Sequence, residues 1–115
     1  MHELSIVASL FEILEKKALE KNALKITMVK LQVGTLSGVV PELLRSSFDI
    51  YKKDTIAAQA NLEIEDVPFR ILCQQCRSEM NKDDFVFKCD QCGSTDLKTL
   101  AGTELLLEKI EMEVD

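Results

Sequence analysis

The four cysteines of the chain fall into two pairs, Cys73-Gln74-Gln75-Cys76 and Cys89-Asp90-Gln91-Cys92, with twelve residues between them. In a CxxC pair the two thiolates lie on one tight turn and can bind the same cation. Two such turns that face each other supply a tetrahedron of sulfur ligands, which Zn²⁺ favours in structural sites. The spacing therefore predicts a closed metal site at Cys73, Cys76, Cys89 and Cys92, with Zn(II) as structural cofactor and no open position for catalysis.

Two alternatives to zinc are compatible with the same thiols. Iron in a rubredoxin-like site uses similar turns, because tetrahedral sulfur suits either metal. A pair of disulfides would require an oxidising compartment. The chain opens with Met1-His2-Glu3 and passes directly into an amphipathic segment without an apolar export signal. We therefore expect a cytoplasmic protein, in which CxxC pairs more often bind metal than form disulfides.

The single histidine of the chain is residue 2. One interpretation is that His2 has no function, since chain termini tolerate most residues. The other is a chelating terminus, in which the Met1 amine, the His2 amide nitrogen and the His2 imidazole close fused rings on one metal. Glu3 could complete four ligands through its amide nitrogen or a carboxylate oxygen. Such a nitrogen-rich set suits square-planar Ni²⁺ or Cu²⁺, and an exposed terminal site would release its metal more readily than a closed thiolate site.

The charge distribution argues against nucleic acid as a partner. The chain has 14 basic and 20 acidic residues, which give a formal net charge of −6. The cysteine segment from Arg70 to Lys98 carries equal numbers of basic and acidic residues, so it lacks the basic face that nucleic-acid binding requires. We also expect no membrane span, because no apolar run approaches ~20 residues. No nucleophile–base pair or paired carboxylates are evident, so we do not expect an enzyme.

Hydrophobic periodicity predicts the elements that position these groups. Residues 3–21 are predicted to form a helix that ends near Asn22. Its buried face combines apolar residues at three- and four-residue steps: Leu4, Val7, Leu10, Phe11, Leu14 and Ala18. Residues 24–33 are predicted to form a strand whose alternation shifts phase near Met28, which indicates a bulge or a strand covered on both faces.

A turn and a second helix follow the predicted strand. The two glycines of the segment 34–38 indicate a turn. Pro41 suits the first turn of a helix, whose apolar face would comprise Leu44, Phe48 and Tyr51.

The cysteine segment lies between two further predicted strands. Residues 61–67 alternate apolar and acidic side chains, and residues 104–112 are again apolar and strand-like. We expect the segment to be inserted between these strands, which are candidates for pairing with each other. An insert of about 30 residues buries little core alone, so the metal should be what folds it. The fold class is therefore α+β: two helices packed on a small, about three-stranded mixed sheet, with an inserted four-cysteine zinc-ribbon-like domain.

Three segments together resemble the HypA/HybF family of hydrogenase maturation nickel chaperones, over essentially the whole chain. They are the opening Met1-His2-Glu3-Leu4-Ser5, the turn Val33-Gly34-Thr35-Leu36-Ser37-Gly38-Val39 with the following Pro41-Glu42, and the two CxxC pairs. The resemblance implies a nickel metallochaperone that is not an enzyme, with Ni(II) as transient cargo. It implies that His2 binds nickel beside the Met1 amine and Glu3, and that the four cysteines bind zinc.

The resemblance also implies a domain organisation and a set of partners. Residues 1–68 and 101–115 would form a nickel-binding α/β domain, and residues 69–100 a zinc-binding insert. The partners would be a GTPase of the HypB type and the precursor of the nickel–iron hydrogenase large subunit, and in some bacteria urease maturation proteins as well.

The sequence departs from the family pattern at two places. Thr35 stands where the family commonly has glutamate, and Arg77 and Gly93 stand where some members carry a histidine directly after a CxxC pair. A zinc site that exchanges cysteine for histidine is therefore not expected within this chain. Two functions outside nickel delivery stay open: a zinc-ribbon protein-interaction module and a rubredoxin-like electron carrier. The oligomeric state, monomer or dimer, and the receiving enzyme are also open.

Overall fold

The computed structural model describes residues 3–82 and 86–114, which form two helices and two separate three-stranded sheets. The elements are α1 (Glu3–Glu20), β1 (Ala23–Gly34), α2 (Pro41–Tyr51), β2 (Asn61–Val67), β3 (Arg70–Cys73), β4 (Glu79–Asn81), β5 (Leu97–Ala101) and β6 (Leu105–Val114). The first sheet has the strand order β2-β1-β6 and the second has the order β4-β3-β5.

Helix α1 buries nearly all of its predicted apolar face. Val7, Leu10, Phe11, Leu14 and Ala18 are buried. The prediction was wrong for Leu4, which lies in the first turn and is 56% exposed. The helix stops near Asn22, whose φ of 53° is a left-handed conformation that asparagine tolerates better than most residues.

The first sheet is mixed, as predicted, but its strand order differs from the expectation. β2 runs parallel to β1, and β6 runs antiparallel to β1 on its other side. The expected pairing of the two strands that flank the cysteine segment was therefore wrong. β1 has the most buried apolar side chains of the three strands, namely Ile26, Val29, Leu31 and Val33. It lies in the centre of the sheet, where β2 and β6 pair with both of its edges. The register against β6 shifts between Ile26 and Met28, which confirms the irregularity predicted there.

The two helices pack on one face of this sheet and close its core around aromatic rings. The centroid of the Phe11 ring lies 5.4 Å from that of Phe48 and 4.8 Å from that of Tyr51. Leu44 and Phe48 of α2 are fully buried, and Tyr51 is 39% exposed. The predicted apolar face of the second helix is thus present, with Tyr51 at its margin.

The cysteine segment has a small sheet of its own, which hydrophobic periodicity did not predict. β3 is central and pairs antiparallel with both β4 and β5. Ile71 and Cys73 of β3 are buried, as are Phe69 before it and Cys89. The strands have only three to five residues each, which is too short for an alternating pattern to stand out in the sequence.

The two sheets meet where three backbone segments approach very closely. A Cβ atom built on Gly34 would lie 2.3 Å from the carbonyl carbon of Gly102, and one built on Gly102 would lie 2.4 Å from the Cα of Phe69. The Thr35 N–H donates to the carbonyl of Val67 at 2.9 Å, and the Leu36 N–H donates to the carbonyl of Gly102 at 2.7 Å. The turn after β1 therefore holds both chain segments that lead into and out of the cysteine segment.

Candidate metal centre

The structure brings all four cysteine sulfurs together. Cys73 ends β3, Cys76 lies on the turn that follows, and Cys89 and Cys92 lie on a second turn. Their Sγ atoms all lie within 4.8 Å of one another. Cys73 and Cys89 are buried, whereas Cys76 and Cys92 are exposed. The cluster therefore lies at the edge of the second sheet with one cysteine of each pair facing solvent.

The two CxxC turns have the same backbone hydrogen bonds, as expected for a pair of facing metal-binding turns. In the first turn the Arg77 N–H donates to the Cys73 carbonyl, and the Cys73 N–H donates to the Ser78 carbonyl, at 2.9 and 2.8 Å. In the second turn Gly93 and Ser94 make the equivalent bonds with Cys89, both at 2.9 Å.

The residue after each CxxC pair has a left-handed backbone. Arg77 has a φ of 66° and Gly93 a φ of 78°. This conformation turns the chain back on itself so that the next residues can bond to the first cysteine of the pair. Arg77 therefore adopts a conformation that L-residues other than asparagine and aspartate rarely adopt.

The spacing of the sulfurs fits a tetrahedral divalent metal. The Cys73 and Cys92 sulfurs are 3.6 Å apart, and so are those of Cys76 and Cys89. A tetrahedron with Zn–S bonds near 2.3 Å has sulfur–sulfur edges of about 3.8 Å. The backbone N–H of Cys76 also approaches the Cys73 sulfur at 3.5 Å, and that of Gln91 approaches the Cys89 sulfur at 3.4 Å, contacts that stabilise a thiolate.

The pKa values of the thiols explain how a bound cation would stabilise four sulfurs at this spacing. The Ser78 side chain and then its backbone N–H lower the pKa of Cys76 to about 6. At Cys92 the backbone N–H of Ser94 lowers the pKa, but desolvation of the sulfur by the surrounding cluster and the three neighbouring sulfurs outweigh it and raise the pKa to about 12. Four negative sulfurs so close together repel one another, and a bound divalent cation removes that repulsion.

An ion pair between a buried lysine and an exposed aspartate supports the second turn. The Lys82 side chain is only 1% exposed, and its Nζ lies 2.7 Å from Oδ1 of Asp90, which is inside the second CxxC pair. The Lys82 N–H donates to the carbonyl of Phe69 at 2.7 Å. Sequence reasoning missed this pair, because nothing in the pattern of charges distinguishes Lys82 or Asp90 from the other charged residues of the cysteine segment.

A second polar contact joins the first turn to the strand that leaves the cysteine segment. The Gln74 side-chain amide donates to Oδ1 of Asp96 at 3.2 Å, and the Gln74 N–H donates to the Asp96 carbonyl at 3.0 Å. Each CxxC turn is therefore held by a side chain within it as well as by the cysteines.

The predicted terminal site lies mostly outside the described residues. Met1 and His2 are not among them, so the chelate predicted there stays a prediction. Glu3 is the first residue of α1 and is partly buried. Ser5, two residues further along α1, lines the same groove as Leu105 at the start of β6. The beginning of α1 therefore lies at the end of the first sheet where the cysteine segment joins it.

Thr35 has a structural role of its own. Its hydroxyl donates to the carbonyl of Val67 at 3.1 Å, beside the bond from its backbone N–H to the same oxygen. Thr35 thus fixes the turn to the end of β2.

Comparisons with known proteins agree over the whole chain. A family model described as HypA, hydrogenase/urease nickel incorporation, metallochaperone, matches residues 1–112. The hydrogenase maturation factor HypA of Shewanella baltica (strain OS185) is 44% identical over 115 residues, 100% of this chain and 98% of that protein. HypA of Aquifex aeolicus is 39% identical over all of both chains.

Solved structures show the same fold. The solution structure of the Ni metallochaperone HypA from Helicobacter pylori has a TM-score of 0.70, with 27% identity over all of both chains. A second solution structure of a HypA protein has a TM-score of 0.74, also at 27% identity, over 100% of this chain and 98% of that one. Among the residues that the structure describes, neither helix is long and apolar enough to cross a membrane. Since the family model matches residues 1–112 and relatives are 39% and 44% identical over all or nearly all of their length, the chain belongs to the HypA family of hydrogenase/urease nickel incorporation metallochaperones.

Proposed function

We propose that this chain captures Ni²⁺ at its amino terminus and delivers it, with a GTPase of the HypB type, to the apo large subunit of nickel–iron hydrogenase in the cytoplasm. The observation that carries the proposal is the family match over residues 1–112, which includes the opening Met1-His2-Glu3 with its nickel-suited donors. Urease maturation proteins are the second class of partner, since the matching family is described for urease as well. The protein acts as a carrier and not as an enzyme.

The proposed nickel ligands are the Met1 amine, the His2 imidazole and Glu3. Their nitrogen-rich set differs in kind from the four thiolates of Cys73, Cys76, Cys89 and Cys92, which we assign to zinc. Zinc, when bound, neutralises the thiolates and joins the two CxxC turns. Because a four-thiolate site is closed, the transient metal needs ligands elsewhere, and the terminus offers them.

The proposed domain division follows the two metals. Residues 1–68 and 101–115 would carry nickel, and residues 69–100 would carry zinc. The described part of the chain supports a connection between them, because the beginning of α1 and the junction of the two sheets share one end of the molecule, where Ser5 and Leu105 line one groove. A nickel-loaded terminus would thus lie near the root of the zinc-binding insert.

We expect nickel affinity to fall in acid. The terminal amine and the imidazole bind metal only when they are deprotonated, and histidine has a reference pKa of ~6.5. Loss of nickel should therefore begin as the pH falls to about that value.

The decisive experiment is calorimetric Ni²⁺ titration of the zinc-loaded chain with its native, untagged terminus, beside His2→Ala. We expect about one Ni²⁺ per wild-type chain and loss of that binding in the variant. Glu42→Ala, which removes an acidic residue from the start of α2, is the matched control and should bind as the wild type does. Zinc content, measured by elemental analysis, should be equal in all three proteins.

The opposite outcome is equally informative. If the wild type and His2→Ala bind Ni²⁺ alike while both retain zinc, His2 is not a ligand. The protein would then act in this family's pathway as a zinc-ribbon interaction module without a nickel site at its terminus.

A further inference from the structure

Each exposed cysteine of the sulfur cluster lies opposite a buried cysteine from the other turn. The Sγ of Cys76, an exposed residue, is 3.6 Å from that of Cys89, which is 3% exposed. The Sγ of Cys92, also an exposed residue, is 3.6 Å from that of Cys73, which is fully buried. The four sulfurs therefore make two contacts between the turns, and each contact includes one cysteine that is open to solvent.

Within each turn the sulfurs contact hydrogen-bond donors. The backbone nitrogen of Cys76 lies 3.5 Å from the Cys73 sulfur, and the Oγ of Ser78 lies 3.3 Å from the Cys76 sulfur. In the second turn the backbone nitrogen of Gln91 lies 3.4 Å from the Cys89 sulfur. The short sulfur–sulfur contacts thus connect the two turns, whereas the short contacts inside each turn are to N–H and O–H groups.

The separation of the sulfurs between the turns is close to that of a disulfide. An S–S bond is about 2.05 Å long, so each contact of 3.6 Å must close by about 1.5 Å. A change in the side-chain torsions of the exposed cysteine supplies a movement of this size and leaves the buried partner in place. Because the two contacts are alike, all four thiols can pair between the turns.

We propose that the cysteine cluster is a site of oxidative modification, at which hydrogen peroxide converts the thiols into two disulfides that join the turns, Cys73–Cys92 and Cys76–Cys89. The exposed thiolate of each contact attacks the peroxide and takes up one oxygen as a sulfenic acid, and the other oxygen leaves as water. The buried thiolate then attacks the sulfenic sulfur, and its oxygen leaves as a second water. Each disulfide thus forms from two thiols and one peroxide, which accepts the two electrons.

The modification would exchange a metal bridge between the turns for a covalent one. A sulfur in a disulfide is no longer a thiolate, which is the form that binds metal, so oxidation would remove all four ligands of a bound cation. The two disulfides would close the long loops 73–92 and 76–89, and longer closed loops restrict the unfolded chain more strongly. Pairing inside each turn would leave the turns unconnected. We therefore expect the oxidised insert to stay folded without metal.

The test treats the full zinc-loaded chain, without nickel, with a small excess of hydrogen peroxide and then blocks the remaining thiols with an alkylating agent. Trypsin cuts after lysine and arginine, so each CxxC pair lies on its own peptide, residues 71–77 and 89–98. Disulfides between the turns join these peptides, whereas disulfides inside a turn leave them separate. Mass spectrometry without reduction should show the joined peptides at least about tenfold more abundant than the separate oxidised ones.

Two matched variants identify which sulfurs pair. In Cys92→Ser, the remaining contact should join Cys76 to Cys89, and the alkylating agent should label Cys73. In Cys76→Ser, Cys73 should pair with Cys92, and the label should lie on Cys89. Each variant keeps three thiols for a metal, and the position of the label within its peptide identifies the unpaired cysteine directly.

Oxidation of the unfolded chain in guanidinium chloride is the control for the role of the fold. The two cysteines of a CxxC pair are close along the sequence, so pairing inside a turn should dominate there. The share of joined peptides should fall by at least about tenfold relative to the native chain.

The fold of the oxidised chain is a second measurement. After chelation of zinc, the oxidised native chain should keep the amide NMR dispersion of residues 70–101. A dithiol reductant added together with zinc should then return the spectrum of the untreated protein, because thiol–disulfide exchange is reversible.

Four results would overturn the proposal. The first is separate oxidised peptides as the main product of the native chain, and the second is a label on Cys89 or Cys76 in Cys92→Ser. The third is the same distribution of products from the native and unfolded chains, which would show that the sulfur positions do not direct the pairing. The fourth is loss of amide dispersion in the oxidised chain. None of these measurements involves His2 or nickel, so this proposal and the proposed nickel site fail separately.

Discussion

At the residue scale, the ion pair of Lys82 and Asp90 joins the second CxxC turn to the body of the insert. Lys82 is buried and also bonds through its backbone to Phe69, whereas the Asp90 side chain is 61% exposed. The lysine therefore provides a fixed anchor beneath the turn, and the aspartate connects the turn to it. Loss of the aspartate should loosen Cys89 and Cys92 without removing a metal ligand.

We predict that Asp90→Ala releases zinc to a chelator faster than the wild type does. A charge-assisted hydrogen bond is worth about 1.5–3 kcal/mol, and exposure of Asp90 reduces this to about 1 kcal/mol. The expected acceleration is therefore roughly fivefold, measured with a chromogenic zinc chelator. Asp66→Ala, an exposed aspartate on β2, is the control, and equal release rates in the two variants would contradict the anchoring role.

Gly102 is the residue whose missing side chain lets the two sheets approach. It has a φ of 107°, and a Cβ there would lie 2.4 Å from the Phe69 Cα and 2.9 Å from the Pro68 carbonyl oxygen. Backbone atoms cannot move aside as a flexible side chain can. The position therefore combines a backbone conformation that favours glycine with a steric requirement for it.

We predict that Gly102→Ala destabilises the zinc-loaded protein by about 3 kcal/mol or more, through strain and overpacking. Gly38→Ala is a matched control, because Gly38 also has a positive φ, of 82°, but nothing lies within 4 Å of its Cβ position. Gly38→Ala should lower the free energy of unfolding by only about 1–2 kcal/mol. Urea unfolding of both variants measures the difference, and similar losses would show that close packing at the junction is unimportant.

At the element scale, the two sheets depend on different sources of stability. The first sheet is covered by two helices and contains the cluster of buried apolar residues. The second has short strands, and the buried side chains among its described residues are Phe69, Ile71, Cys73, Lys82 and Cys89. A segment with so small an apolar core is stable only with an added constraint, and the sulfur cluster provides the place for one.

We predict that chelation of zinc unfolds the second sheet and leaves the first sheet intact. Two-dimensional amide NMR should show loss of dispersion for residues 70–101 alone, while the helical circular dichroism of α1 and α2 persists. Zinc should restore the original spectrum, since metal binding and folding are coupled in such segments. Loss of signals from β1 and α1 on chelation would mean that the junction transmits unfolding, and that the two sheets form one cooperative unit.

At the scale of the whole molecule, the chain is elongated. Its principal extents are 57 × 24 × 17 Å, and its Cα radius of gyration is 17.8 Å. A compact chain of this length would have a radius of gyration of about 13 Å. The difference arises because the second sheet extends from one end of the first instead of packing on its helices, a shape that leaves the edge of β6 and the metal centre accessible at once.

We predict that X-ray scattering of the dilute zinc-loaded chain gives a radius of gyration near 18 Å, close to the Cα value. A value near 13 Å would mean that the insert folds back on the helices. A doubled forward scattering would indicate a dimer, which would have to be separated from the monomer before the two radii are compared.

The amino-acid sequence by itself determined the parts of this protein whose partners lie close along the chain. The CxxC spacing predicted the sulfur cluster, since each pair of ligands belongs to one turn. Periodicity predicted both helices and the strands of the first sheet, because a three- to four-residue or two-residue repeat is a local property. The terminal donors stay a prediction, since Met1 and His2 lie outside the described residues.

Only the tertiary structure decided how distant segments meet. The central place of β1, the sheet within the insert, the Lys82–Asp90 pair and the contact of Gly34 with Gly102 all join residues without a shared local pattern. Strand order depends on which long-range pairing buries the most apolar strand, and a one-dimensional repeat does not encode that choice. The position of β6 at an edge of the first sheet has the same origin, because its neighbours are set by the long-range pairing of all three strands.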